Sequence, residues 1–173
     1  SGASRLRLAG LLADFLCRLA PEEIAPALRL LLGRPFAEWD DRALNVSGQL
    51  LFAVLETMAP AGPREREGIF GEAVDGGQAA MLLFQRFRAS PPAGPPLALL
   101  EVSQAFEQVA AVAGAGARRR REELLHGLLE RASPLEVKYI AKAVLGEMRH
   151  GVSEGIALEG IARAANVPVE EVR

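Results

Sequence analysis

Residues 133–146 read SPLEVKYIAKAVLG, and they contain the start, the body and the end of one helix. Ser133 and Glu136 have the spacing of a capping box, and Pro134 stands at the first helical position, where its missing N–H costs nothing. Gly146 is typical of the residue that follows a last helical turn. The stretch therefore predicts a helix that begins at Pro134 and ends before Gly146.

The first part of the chain repeats this pattern. Shifting the sequence by 113 residues places Pro21 on Pro134 and Gly33 on Gly146, with eight identities in 23 positions and no gap. The recurring residues are Leu11, Leu12, Leu16, Arg18, Pro21, Glu23, Leu32 and Gly33. After a gap, Val46-Ser47 matches Val152-Ser153. Because proline and glycine mark helix starts and ends, the match predicts two related repeats of three helices each.

Other helices are indicated by apolar residues at helical spacing. They are expected from Leu8, with Ser4 as the cap, and at 21–33, 47–58, about 79–87 and about 98–113. Stretches rich in proline and glycine, 60–63 and 90–96, separate them. No segment alternates like a strand, so the predicted fold class is all-α, a helical bundle built from two pseudo-symmetric helical repeats.

The expected organisation is a single domain over 1–173. Its first repeat covers about 4–60, its second about 97–167, and a linker lies at about 89–96. Ser1-Gly2 is typical of a scar left by tag removal. The final residues, 167–173, are typical of the opening of one more helix.

Composition excludes several classes of protein. With 173 residues, half of them hydrophobic, the chain can bury a core, but no apolar stretch approaches the ~20 residues that cross a bilayer. Cys17 is the only cysteine, which excludes an internal disulfide and a cysteine-based zinc site and fits a reducing cytoplasm. Nothing suggests more than a monomer. A net charge of −2 means that a nucleic-acid partner must be argued from local clusters of charge.

One such cluster follows a glycine loop. Residues 114–117 read GAGA, and Arg118 through Arg121 open the helix after them. Free backbone N–H groups, the positive end of a helix and guanidinium groups together favour a phosphate. The alternative is a flexible loop followed by a solvated charged turn.

A second loop, 146–153, also suits phosphate or sugar contacts. Gly151 and Ser153 are small, and Arg149 with His150 would fit a minor groove. The matching loop of the first repeat is 45–48, which begins with Asn45. The alternative is an ordinary connection between helices, with glycines as caps.

These motifs carry a resemblance to a known family. Residues 99–102, 114–121, 124–125, 133–139 and 145–154 resemble the N-terminal DNA-binding domain of ATP-dependent DNA ligases in order, spacing and loop chemistry. The resemblance implies a helical domain that binds nicked duplex DNA by its backbone and minor groove, together with the adenylation and OB-fold domains of the same parent chain. It implies contacts from Gly116, Ala117, Arg118, Arg121, Arg149, Gly151 and Ser153, with Asn45 and Ser47 as first-repeat counterparts.

The chain departs from the family pattern at three places. Ala117 stands where the family usually has serine, and His150 where it has an aliphatic residue. The adenylated Lys-x-Asp-Gly signature is missing, because the only Asp-Gly pair is Asp75-Gly76 and Ala73 occupies the lysine position. Without that amine no phosphoramidate with AMP can form. We therefore expect no catalytic residue, metal or cofactor in this chain, and ATP and Mg only in the parent enzyme.

Two other functions stay open at this point. An α-helical repeat scaffold for protein–protein interaction would use the same fold. An enzyme with an unrecognised site finds little support, since His126 and the paired glutamates lack the spacing of catalytic or metal-binding groups. The resemblance favours a role in replication, repair or recombination.

Overall fold

A computed structural model describes residues 2–149 and 151–172. Within these ranges the secondary structure is helical and no strand occurs, which confirms the all-α prediction. The helices are α1 (Gly2–Leu16), α2 (Pro21–Leu31), α3 (Gly48–Met58), α4 (Pro63–Glu72), α5 (Gly76–Phe87), α6 (Leu99–Ala111), α7 (Ala117–Arg131), α8 (Pro134–Leu145) and α9 (Glu154–Ala165). A short 3-10 helix, Val169–Glu171, follows in the segment where a further helix was expected.

The predicted helix starts are confirmed for α2, α3 and α8. In α8 the Ser133 hydroxyl accepts from the Glu136 amide at 3.3 Å, and the Ser133 amide donates to the Glu136 carboxylate at 2.7 Å. Ser47 caps α3, its hydroxyl accepting from the Leu50 amide at 3.2 Å. Each such cap contributes about 1 kcal/mol, because it satisfies a backbone donor that the helix leaves unpaired.

Helix α1 differs from the prediction at its start and on its surface. It begins at Gly2, so Ser4 lies inside the helix and is not its cap. Leu11 is exposed, although it is one of the apolar residues at helical spacing that predict this helix, whereas Leu12 and Leu16 are buried. The stripe of leucines is wider than the face that α1 buries.

Helix α4 is absent from the sequence prediction. Its first turn is charged, and of its ten residues Ile69 is the buried one, so it shows no apolar stripe. It packs on α5, and ion pairs link it to α3 (Nη1 of Arg66 to Oε1 of Glu56, 2.8 Å) and to α5 (Nη2 of Arg86 to Oε2 of Glu72, 2.7 Å).

The described residues form two compact units. Unit 1 contains 2–32, 149 and 151–172, and therefore α1, α2 and α9; unit 2 contains 33–148, and therefore α3 to α8. The units do not coincide with the repeats predicted at about 4–60 and 97–167, because α3 belongs to unit 2 and α9 to unit 1. The predicted linker, 89–96, lies within unit 2, where the Ala93 amide donates to the Glu130 carbonyl at 3.0 Å. The division into two pseudo-symmetric repeats stays a prediction.

Unit 1 is organised by the packing of α1 on α9. Leu12 and Leu16 of α1 form a buried cluster with Ala157 of α9, and apolar side chains of α2, among them Ile24 and Leu28, pack against it. The start of α1 is fixed to α9 by an ion pair between Nε of Arg5 and Oε2 of Glu159, at 3.2 Å.

Unit 2 is organised by the packing of α5 on α8, while α3 contacts α5, α7 and α8 and α6 packs on α7. Gly77 lets α5 approach α8 closely, since a Cβ on it would lie 2.8 Å from the Lys138 carbonyl oxygen. Beside it Lys142 donates to the Asp75 carboxylate at 2.7 Å. Burial raises the pKa of Asp75, but the hydrogen bonds from Lys142 and the Gln78 amide outweigh it and hold the pKa below its usual value.

Candidate nucleic-acid interface

The glycine loop ends at the N-terminus of α7. Gly116 is the N-cap residue and adopts a left-handed conformation with φ of 77°, which a residue without a Cβ tolerates. No side chain among the described residues caps this helix. The Ala117 amide donates to the Gly114 carbonyl at 3.2 Å, so it is not free for a ligand. The amides of the following residues in the first turn have no partner within the helix, as at any helix start.

Two of the four arginines at this helix start point outward. Nε of Arg118 lies 3.0 Å from Oε1 of Glu122, and Nε of Arg119 lies 3.0 Å from Oε1 of Glu123. Both arginine side chains remain largely exposed, at 72% and 84%. Each contact uses one of the five N–H donors of a guanidinium, so the remaining donors can reach another anion.

The other two arginines hold the loop that precedes the helix. Arg120 donates to the Ala113 carbonyl at 2.8 Å, and Arg121 donates to the Val112 carbonyl at 2.6 Å. These carbonyls follow the last turn of α6, where positive side chains are favoured. Arg121 is half-buried, and its Nε finds no hydrogen-bond partner among the described residues. Arg121 is therefore both a structural link between α6 and α7 and a charge at the helix start.

The loop before α3 lies beside this helix start within unit 2. Together they form a cavity of about 220 Å³ lined by Asn45, Ser47, Gln49, Leu50, Arg118 and Arg121. Four of the nine residues predicted as DNA contacts thus meet at one groove, although some 70 residues of sequence separate the two segments. Gln49 and Leu50 were missed, and their position two and three residues after Ser47, in the first turn of α3, was the available signal.

The backbone shapes this groove at Asn45. Its φ is 51°, a left-handed value that asparagine adopts more readily than most residues. The Asn45 side chain donates to the Ala43 carbonyl at 3.0 Å. The hydroxyl of Ser47 accepts a cap hydrogen bond and retains its own O–H to donate. The groove therefore offers two guanidinium groups, an amide and a hydroxyl.

The three other predicted contacts belong to unit 1. Arg149 and Gly151 are exposed, and Gly151 has a φ of 87°. Ser153 is exposed as the N-cap of α9, its hydroxyl accepting from the Ile156 amide at 3.4 Å. His150 lies outside the described residues.

A second cavity in unit 2 contains His126 and one of the adjacent glutamate pairs considered for catalysis. It has a volume of about 430 Å³ and is lined by Ala53, Val54, Thr57, Glu122, Glu123 and His126. Over the ranges 2–149 and 151–172, no three histidine, cysteine, aspartate or glutamate side chains are grouped closely enough to hold a metal ion. No described helix combines the length and apolar character that a membrane span requires.

The single Asp-Gly pair has a structural role. Asp75 is the N-cap of α5, where its carboxylate accepts from the Gln78 amide at 2.8 Å and from Lys142 at 2.7 Å. Gly76 lies against α8, since a Cβ on it would be 2.5 Å from Cδ1 of Leu145. The pair thus fixes α5 to α8.

Comparison with known proteins gives the same family as the sequence motifs. Residues 1–162 match the family model described as DNA ligase N terminus. The chain belongs to this family. Relatives of this DNA ligase N-terminal region include the DNA ligase of Archaeoglobus fulgidus, 33% identical over 98% of the chain and 31% of the relative. The DNA ligase of Thermococcus onnurineus is 34% identical over 92% of the chain and 28% of its own length. That of Methanopyrus kandleri is 35% identical over 95% of the chain and 30% of its own length.

The resemblance to DNA ligases is thereby confirmed. The DNA ligase N-terminal region described here spans about a third of the length of the curated relatives that it matches.

Proposed function

We propose that this chain is the DNA-binding domain of an ATP-dependent DNA ligase and that it binds nicked duplex DNA by its sugar-phosphate backbone. The observation that carries the proposal is the groove of unit 2. It combines Arg118 and Arg121 at an uncapped helix start with Asn45 and Ser47 of a separate loop. All four groups can donate hydrogen bonds to phosphate oxygens without reading a base, so binding should show little sequence preference.

The chemistry of the groove suits a phosphodiester. Guanidinium groups bind phosphate through parallel N–H donors, and the partial positive charge of the α7 start adds to their attraction. Arg149, Gly151 and Ser153 are proposed to add minor-groove and backbone contacts from unit 1, and Gly116 and Ala117 to let the backbone of unit 2 approach the DNA.

The carboxylate of Glu122 competes with DNA for Arg118. The two side chains are 72% and 36% exposed, and ion pairs of this kind contribute only about 0–1 kcal/mol. Binding to DNA gains further free energy from the release of condensed counterions. A phosphate can therefore displace the Glu122 carboxylate from Arg118, or bind Arg118 beside it, at a small cost in free energy.

Catalysis is proposed to belong to the rest of the parent chain. Ala73 stands where the signature needs a lysine, and Asp75 is occupied as a helix cap, so this part of the enzyme would position DNA and leave ATP, Mg and ligation to the adenylation and OB-fold domains. We propose a cytoplasmic, monomeric domain that supports nick sealing in replication, repair or recombination.

Fluorescence anisotropy with a labelled nicked duplex at low salt tests the proposal. The variant Arg118→Glu/Arg121→Glu should weaken binding strongly and to the same extent for unrelated duplex sequences. The matched control is Arg64→Glu/Arg86→Glu, which changes the charge of unit 2 equally at residues that do not line the groove. Circular dichroism checks that both variants keep their helix content.

The outcomes separate the candidate functions. Equal affinities of the groove variant and the control would mean that only net charge matters, and the groove would have no role. No binding of the unchanged protein at low salt would favour the helical scaffold. The exposed Leu135 and Tyr139, one turn apart on α8, are the observation that supports that second candidate.

A further inference from the structure

The two units share a local arrangement that the proposed contacts do not yet include. In unit 2 the start of α7 lies beside the loop before α3, and in unit 1 α1 packs on α9, which follows the matching loop. The sequence shift of 113 residues that aligns α1 with α7 also places Arg5 on Arg118 and Arg7 on Arg120. These two identities extend the repeat toward the N-termini of both helices, although α1 begins at Gly2, which aligns with Ala115, two residues before α7 begins.

Residues 45–47 before α3 and 151–153 before α9 share features of backbone conformation as well as of sequence. Asn45 and Gly151 occupy equivalent positions and both have positive φ, 51° and 87°. Two residues later, Ser47 and Ser153 cap their helices in the same way, each accepting from an amide three residues ahead. Residues 151–153 thus share a left-handed residue and a serine cap with residues 45–47 of the groove in unit 2.

Arg5 occupies the place in unit 1 that Arg118 occupies in unit 2. A Cβ on Gly155 would lie 3.3 Å from Nη2 of Arg5 and 4.0 Å from Oγ of Ser153, so both groups flank the same backbone position. The residue equivalent to Gly155 is Gln49, which lines the groove with Arg118. Arg5 also resembles Arg118 in its electrostatic surroundings, since its side chain is 58% exposed and one carboxylate, that of Glu159, binds its Nε.

We propose that Arg5 is a further phosphate-contacting residue, acting with Ser153 on the backbone of the same duplex. This inference rests on the proposed DNA-binding function. Leu8 stands where unit 2 has Arg121, so the contact in unit 1 has one guanidinium where the groove of unit 2 has two. Arg5 should accordingly account for about one phosphate contact, and the groove of unit 2 for about two.

The salt dependence of binding to a nicked duplex tests the assignment. Replacing one phosphate-contacting arginine lowers the slope of log K against log salt by about 1. We expect this decrease for Arg5→Gln and for Arg118→Gln, and a decrease of about 2 for the two combined. The matched control is Arg7→Gln, which removes the same charge from the same helix two residues away, on a different face. It should leave the slope unchanged.

The results separate this inference from the proposed function. If Arg118→Gln lowers the slope and Arg5→Gln behaves like Arg7→Gln, Arg5 makes no phosphate contact and only the further inference is overturned. If neither Arg118→Gln nor Arg5→Gln changes the slope, the proposed function is overturned as well.

A second variant covers the case in which Arg5→Gln disturbs the fold. Glu159→Gln removes the carboxylate that binds Arg5 and also Arg163, and it should tighten DNA binding by up to about fivefold, the range expected for a partly exposed ion pair. The gain should persist in Glu159→Gln/Arg163→Gln, whose net charge equals that of the unchanged protein, so that neither Arg163 nor the lost negative charge accounts for it. Unchanged or weaker binding by a folded Glu159→Gln variant would contradict the assignment.

Discussion

Two glycine-to-alanine substitutions in unit 2 should have opposite effects on stability. Gly77 lies in α5 against α8, whereas an added Cβ on Gly127 in α7 has no described atom from outside its own helical turns within 4 Å. Alanine is favoured over glycine within a helix by about 1 kcal/mol, so Gly127→Ala should stabilise the protein by about that amount. The same reasoning would favour Gly77→Ala if packing did not oppose it.

Packing at Gly77 makes the expected change in stability unfavourable. The new Cβ would lie 2.4 Å from Cγ of Lys142 and 2.8 Å from the Lys138 carbonyl oxygen. The lysine stem can move, but the carbonyl belongs to the backbone of α8, so the two helices must separate. Overpacking of this kind costs about 1–3 kcal/mol, and it also disturbs the ion pair between Lys142 and Asp75. Gly77 is the second residue of α5, where alanine gains less than in a helix interior, so we expect Gly77→Ala to lower the free energy of unfolding by about 1–2 kcal/mol.

Thermal unfolding followed by circular dichroism measures both effects. For a protein of this length, Tm shifts by about 2–4 °C for each kcal/mol of change in the free energy of unfolding. Gly77→Ala should therefore lower Tm by about 2–8 °C, and Gly127→Ala should raise it by about 2–4 °C. Hydrogen exchange should show the loss of protection in α5 and α8. Equal stabilisation by both substitutions would refute the close approach of these helices.

Three further predictions concern the ion pairs and caps. The pKa of Asp75 is lower in the folded protein than in the unfolded chain, so this carboxylate stabilises the fold above its unfolded pKa, and the stabilisation is lost as pH falls through its folded pKa. Lys142→Met should therefore reduce the loss of unfolding free energy that acid titration produces below about pH 4. An unchanged pH profile would exclude this ion pair as the cause. Ser47→Ala and Ser133→Ala should each lower the free energy of unfolding in urea by about 1 kcal/mol. Only Ser47→Ala should also weaken DNA binding. Equal DNA affinities of the two variants would argue against a Ser47 contact. Glu122→Gln should tighten DNA binding by up to about fivefold, since it frees Arg118, and weaker binding would show that the carboxylate positions the arginine instead.

Local signals in the sequence predict most of the helices. The serines and prolines that begin α2, α3 and α8 act through contacts within four residues, so their effect can be derived without knowledge of the fold. Helix α4 was missed although Pro63 and Glu65 give it the same local start signal as α2, because its residues lack an apolar stripe. The exposure of Leu11 could not be derived from local signals, since which part of an apolar stripe is covered depends on the neighbouring helix.

The candidate site could be predicted only in part. The residue types of the loops identify Arg118 and Ser47 as candidates, but nothing local in the sequence indicates that they line one groove. The different contacts of the four arginines also depend on the tertiary structure. Arg121 reaches the Val112 carbonyl because α6 ends beside the start of α7.

The dependence of DNA binding on salt tests the central claim most directly. The slope of log K against log salt should fall by about 2 when Arg118 and Arg121 are both replaced by glutamine, because each phosphate contact contributes about 0.9 to the slope. Arg64→Gln/Arg86→Gln should leave the slope as it is in the unchanged protein. Equal slopes for the unchanged protein and both double variants would show that the groove of unit 2 binds no phosphate.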